Sequence, residues 1–198
     1  ALTLWVLTLV LRTHGFGGRP LLLLAIVAAL TAFTTLPWLT SILLTDIFAG
    51  LAVLALHLLV FRREQLGRWT RHGLLLLTAF AGATHGATMV LLLALACVAA
   101  LAHFRWPQHV TAGGLGWASA AAVLAFVLTL AGNFAVSGRV AWTPGGSSIL
   151  FGRMLQDGIV HRYLEDHCPD PGLKLCPYRR ELPRDADAFL WSNSVFNS

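Results

Sequence analysis

The chain has 198 residues, 57% of them hydrophobic and only 12% charged, with a mean hydropathy of +0.70. Soluble domains carry about 25% charged residues, so an autonomous water-soluble fold is excluded and a membrane protein is expected. The net charge of +5 comes from 14 bases, all but Lys174 being arginine, against 9 acids.

Those arginines sit between apolar runs. Up to Arg139 the bases are Arg12, Arg19, Arg62, Arg63, Arg68, Arg71, Arg105 and Arg139, against Asp46 and Glu64 alone. Short arginine-bearing loops beside apolar spans orient a membrane protein, and no basic stripe remains to track a phosphate backbone, so nucleic acid is excluded as a partner. The division expected from composition is a transmembrane helix bundle over 1–139 and a polar segment over 140–198. In chain order, residues 1–11 form an apolar run about half the length that crosses a bilayer. It is expected to be the remainder of a longer helix rather than a signal peptide, which would need a basic n-region and a cleavage site. The chain is likewise expected to continue past Ser198.

Pro20 suits the first turn of a helix over 20–36, because its missing N–H needs no partner there. Pro37 and Trp38 are expected to end that helix in an external turn. The next helix starts between Ser41 and Asp46 and runs to Phe61. Four arginines follow within ten residues, at 62, 63, 68 and 71, and make that loop cytoplasmic.

As a single helix, residues 73–104 would measure about 48 Å against a hydrocarbon core of about 30 Å. Residues 81–88, with Gly82, Thr84, His85 and Gly86, are small and polar. Two shorter helices broken there, with His85 at an external turn, are the preferred reading, and one tilted span is the alternative. A last helix over 111–136 carries Gly113, Gly114 and Gly116 on a face suited to close helix packing. Cys97 reads as a small packing residue, and His14, His72, His103 and His109 as solvated loop residues. His57 reads as favouring the end of its helix or the interface. Alternation then places the segment after Arg139 outside.

That segment holds six bases and seven acids. Ile149, Leu150, Met154, Leu155, Ile159, Tyr163 and Leu164 recur at helical spacing, which predicts an amphipathic helix over 148–166, capped by Ser147 or Ser148 and lying on the membrane or over the bundle. Gly152 and Gly158 each weaken it by about 1 kcal/mol relative to Ala. A shorter helix capped by Asp185 presents Phe189, Leu190 and Trp191. Between the two, Cys168 and Cys176 flank a Pro-Asp-Pro-Gly turn. An oxidising compartment would join them as a disulfide; free thiols, or a metal site with His161 and His167, are the other readings. Trp142, Tyr178 and Trp191 read as interfacial anchors.

Two residues stand out as candidates for catalysis. Asp46 is the only acid among the first 61 residues, and an ionisable group in an apolar segment points to function, whereas a carboxylate at a helix N-terminus also serves as a cap. His85 is either an acid-base group or ligand in a water-filled external cavity, or a hydrogen-bonding partner of a neighbouring helix. No nucleophile elbow, HExxH, Walker loop or dinucleotide fingerprint occurs.

Residues 36–57, with Pro37, Trp38 and Asp46, resemble the second external turn of the polytopic GT-C class of glycosyltransferases, in which a helix ends at a Pro or aromatic and an Asp heads the next helix. Residues 152–160 and 175–178 are similar to uncharacterised multi-pass membrane proteins of bacteria. The GT-C resemblance implies an all-α, polytopic bundle in the bacterial inner membrane, with the C-terminal segment periplasmic. It implies membrane lipid and a polyprenyl-phosphate-linked sugar donor as partners. The class carries its principal acid in the first external loop, which would precede Ala1, so Asp46 would be a secondary acid near the donor phosphate or its divalent cation. A transporter and a non-catalytic scaffold are the other classes the residues allow; a transporter would need mid-bilayer polar residues and repeated halves.

Overall fold

A computed structural model describes residues 1–41 and 47–191 of the chain. The described residues are helical, with no strand among them. They divide into two compact units, Ala1–Val136 and Ser137–Ser198, close to the change of composition after Arg139.

The first unit contains α1 (Leu2–Thr13), α2 (Pro20–Phe33), α3 (Leu36–Ser41), α4 (Ile47–Phe61), α5 (Arg68–Thr84), α6 (Gly86–Arg105) and α7 (Ala112–Ser137), whose last residue crosses the boundary. Pro20 opens α2 as expected. The helix then stops three residues short of the expected end, at Phe33. Thr34 turns extended, its hydroxyl donating back to the Leu30 carbonyl and accepting the Leu36 N–H at 3.1 Å. A new helix begins there. Pro37 and Trp38 therefore do not terminate a helix; they lie in the first turn of α3, where a proline N–H is not missed. Residues 42–46, including Asp46, lie outside the described residues.

The packed centre of this unit comes from α4 and α5. Leu51, Ala55, Leu58 and Leu59 of α4 meet Leu74 and Leu77 of α5, with Leu66 of the connecting loop and Val6 of α1 closing the cluster. The long apolar run is two helices, as its small, polar middle suggested. His85 is extended (φ −145°, ψ 118°) between α5 and α6. Leu92 of α6 closes back over Gly82 of α5, and further along α6, Val98, Ala99 and Ala102 share an apolar groove with Val53, His57 and Val60 of α4. The chain thus reverses at His85 rather than continuing as one tilted rod.

Helix α7 packs through a stripe of small residues, Gly114, Ala118, Ala121, Ala122 and Ala125, all buried. The closest approach to another backbone is at Gly114, where a Cβ would stand 2.5 Å from the Val60 carbonyl oxygen. Only glycine fits that contact, so the close packing expected of Gly113, Gly114 and Gly116 holds at Gly114, whereas Gly116 is exposed with open space beside it. Ala125 meets Gly82, and Trp117 meets the His72 ring at 5.5 Å, so α7 runs in the same direction as α5.

Two helices, α6 and α7, are long and apolar enough to cross a membrane. At 1.5 Å per residue they reach about 30 and 39 Å. Within their most apolar stretches only 22% and 17% of residues are buried inside the protein. A soluble core helix of that hydropathy would be mostly covered; these instead turn Leu101, Phe104, Val123 and Val136 outward. Cys97 shares that outward surface and is exposed, against the expectation that it packs internally. A residue at that angle on α6 meets no neighbouring helix among the described residues.

The second unit contains α8 (Gly146–Gln156), α9 (Ile159–His167) and α10 (Ala186–Trp191). The single amphipathic helix expected over 148–166 is two helices, because Gly158 adopts φ +73° and ends the first. Gly158 is a break in the helix, not merely a weak position within it. The cap differs too: α8 starts after Gly145, with no side-chain cap, and Ser147 and Ser148 lie inside it. The expected shorter helix is α10, where Asp185 Oδ1 accepts the Asp187 N–H at 2.7 Å. Leu155, Val160, Leu164, Leu182 and Phe189 form the unit's own core. Beside it Cys168 and Cys176 are joined as a disulfide, with Cα atoms 5.6 Å apart. With both thiols committed, the metal reading of these cysteines is withdrawn.

Candidate functional site

The helices of the first unit collect its polar groups at two ends. At one end lie the close of α1, the α4–α5 loop, the close of α6 and the start of α7. His14 stacks on His57 at 5.6 Å, and the Phe61 ring lies 5.2 Å from His57. Arg63 occupies the space over Gly113. His103 reaches across the α6–α7 loop and its Nδ1 bonds the Val110 carbonyl at 2.7 Å. Hence His14 and His103 are not simply solvated: one is half of a ring pair, the other a tie that closes a loop. The first contact joins helices brought together only by packing, so nothing in the spacing of His14 and His57 announces it; the second is local to the α6–α7 loop.

Arg12, Arg62, Arg63, Arg68, Arg71 and Arg105 ring this same end. Among the described residues their single ion pair is Arg63 with neighbouring Glu64, at 3.6 Å. With six guanidiniums against the one carboxylate of Glu64, the end as a whole is cationic.

The opposite end holds the first turn of α4 and the reversal between α5 and α6. Phe48, in the first turn of α4, meets Phe80 of α5 edge to face at 5.5 Å. That contact sets the beginning of α4 beside the last turn of α5, close in sequence to His85. His85 is half-buried, and its carbonyl accepts the Met89 N–H at 3.1 Å. Thr84 donates to the Ala81 carbonyl at 3.1 Å. One turn into α6, Thr88 is 1% exposed and its hydroxyl has no hydrogen-bond partner among the described residues.

That hydroxyl is a feature composition did not single out. Thr13, Thr78 and Thr129 return their hydroxyls to carbonyls one turn back, the usual way to satisfy threonine in an apolar helix. An unsatisfied buried hydroxyl costs about 1–3 kcal/mol. Thr88 therefore keeps hydrogen-bonding capacity in reserve one turn from His85. Asp46, the other residue singled out from the sequence, lies outside the described residues. No group of three or more His, Cys, Asp or Glu converges among the described residues.

No protein-family model matches the chain, and neither a curated protein nor a solved structure is similar to it.

Proposed function

We propose that the chain is part of a multi-pass protein of the bacterial inner membrane that transfers a sugar from a polyprenyl-phosphate donor, at the end of the first unit that holds His85. The cationic end faces the cytoplasm in this reading, because arginine resists translocation, and the polar segment after α7 is periplasmic, where its disulfide is stable. Asp46 takes the role of the carboxylate that accepts a proton or orients the acceptor, with His85 as its acid-base neighbour.

One observation supports the reading above the others. The Phe48–Phe80 contact joins the head of α4 to the His85 end, away from the arginines. On this reading the reacting end is the one where α4 begins and the chain reverses at His85. Outward apolar faces on α6 and α7 give a lipid-borne donor a surface to approach along.

The experiment is Asp46→Asn in the full-length protein. Asn preserves helix capping to within a few tenths of a kcal/mol but removes the charge. Expression and thermal stability should therefore stay unchanged while transfer from a polyprenyl-phosphate sugar is abolished. Undiminished transfer would leave Asp46 as a cap alone. Failure of the unsubstituted protein to turn over any such donor would shift the assignment to transport or scaffolding.

A further inference from the structure

The second unit contains a cleft of about 450 Å³ between α9 and the segment that follows the disulfide. His161 and Glu165, one helical turn apart on α9, form one wall; Arg179, Arg180 and Arg184 form the other. Leu164 and Leu182, both buried, make the floor. His161 Nε2–H donates to the Leu182 carbonyl at 3.3 Å and ties the arginine segment to the helix, while its Nδ1 is buried without a partner among the described residues.

The charges in this cleft do not cancel. Among the described residues none of the three guanidiniums enters an ion pair; the ion pairs present are Arg63 with Glu64 and Arg153 with Asp157. Glu165 is the one carboxylate lining the cleft, so three cations face a single anion. The segment is also held in place. Cys176 is closed onto Cys168, and the turn it begins carries the backbone bond from Arg179 N–H to the Cys176 carbonyl at 3.3 Å and that from Glu181 N–H to the Tyr178 carbonyl at 2.9 Å. Only the backbone that carries the arginines is fixed in this way, which removes its share of the ordering cost on binding.

We propose that this cleft binds a phosphate-bearing anion, gripped by Arg179, Arg180 and Arg184. Guanidinium presents planar paired donors that match phosphate oxygens two at a time, and a phosphate monoester or diphosphate has enough oxygens to engage several forks at once. The cleft is of the size that takes a small ligand, larger than a bare phosphate needs, and so leaves room for the group the phosphate is attached to. Its source is either a soluble phosphate ester or a lipid headgroup. Leu164 also borders an apolar groove of about 390 Å³, lined by Ile159, Val160 and Tyr163, where a lipid's chain would fit beside its phosphate. The inference stands apart from the transferase reading and uses none of its residues.

The test titrates the oxidised full chain, in phosphatidylcholine nanodiscs at fixed ionic strength, with inorganic pyrophosphate by calorimetry. Saturable one-site binding is expected, weakened by at least about tenfold in Arg180→Gln/Arg184→Gln, which removes two charge-assisted contacts. Arg19→Gln/Arg105→Gln, with the same loss of charge outside this unit, should bind as the original does. Glu165→Gln should bind about three- to tenfold more tightly, because the opposing carboxylate is gone, and a misfolded unit could not produce that gain. Absence of saturable binding, or equal weakening by both double variants, would overturn the proposal. Two arms then separate the sources. Displacement of pyrophosphate when phosphatidic acid is doped into the nanodisc identifies a lipid headgroup, and unaltered binding there identifies a soluble phosphate ester.

Discussion

The two units solve the same problem, holding helices together, by different means. In the first, buried leucines join α4 to α5, but α7 meets its neighbours through Gly114, Ala118, Ala121 and Ala125, and large apolar side chains of α6 and α7 such as Phe104 and Val123 point away from the protein. In the second, large side chains point inward, with Leu155 fully buried against Leu164, Leu182 and Phe189, and a covalent bond closes the loop beside them. In the membrane setting proposed above, the contrast follows from the solvent each unit would meet. Where lipid surrounds the helices, apolar burial gives little advantage and close backbone approach decides packing; where water surrounds them, burial of leucine and phenylalanine is the main driving force.

The contrast breaks most sharply with Leu155→Ala. Emptying a fully buried leucine site should destabilise the second unit by about 2–5 kcal/mol. Hydrogen exchange should accelerate across α8, α9 and α10 while α4 and α5 keep their protection; loss of protection in both units would mean that they fold as one. A charge on the outward face of α7 probes the other side. Val123 is 63% exposed near the middle of that helix, and Val123→Asp should cost about 3 kcal/mol of apparent insertion free energy. Glycosylation-site reporters flanking α7 would show the lost insertion, and normal insertion would argue that this face does not meet lipid.

Replacing both Cys168 and Cys176 by Ser should cost the second unit about 2–3 kcal/mol, the chain-entropy contribution of a short closed loop. Denaturant titration followed by peptide-resolved exchange would read the loss, which should not spread to α4 or α5. The smallest expected effect is at Gly158. With φ at +73°, an added Cβ is strained, so Gly158→Ala should destabilise the α8–α9 junction by about 1–2 kcal/mol. A stabilised variant would show that a continuous helix over this stretch, the arrangement periodicity alone suggests, is within reach of the sequence.

Much of the helix layout was legible because its signals are local. Pro20 marked the start of α2, the small polar stretch around His85 marked the reversal between α5 and α6, and Asp185 marked α10. The errors were local conflicts settled by single groups. Thr34 closed α2 before Pro37 was reached, and Gly158 divided a continuous apolar periodicity by taking a left-handed conformation. The candidate site was legible only as residues of unusual type in apolar surroundings. His85 was found in that way, but the unsatisfied hydroxyl of Thr88 was not, because threonine in an apolar helix ordinarily bonds its own backbone and only packing shows when it does not.

The sequence by itself determined that the chain is helical, that apolar spans precede a polar segment, and where Cys168 and Cys176 could meet, since composition, periodicity and short-range spacing carry that information. The tertiary structure alone decided which residues become neighbours across helices: His14 on His57, Gly114 against the Val60 carbonyl, Arg179, Arg180 and Arg184 facing His161. Each of these contacts joins segments that local spacing does not relate. Their proximity is set by how whole helix faces pack, and that depends on the shapes of all the side chains between them at once.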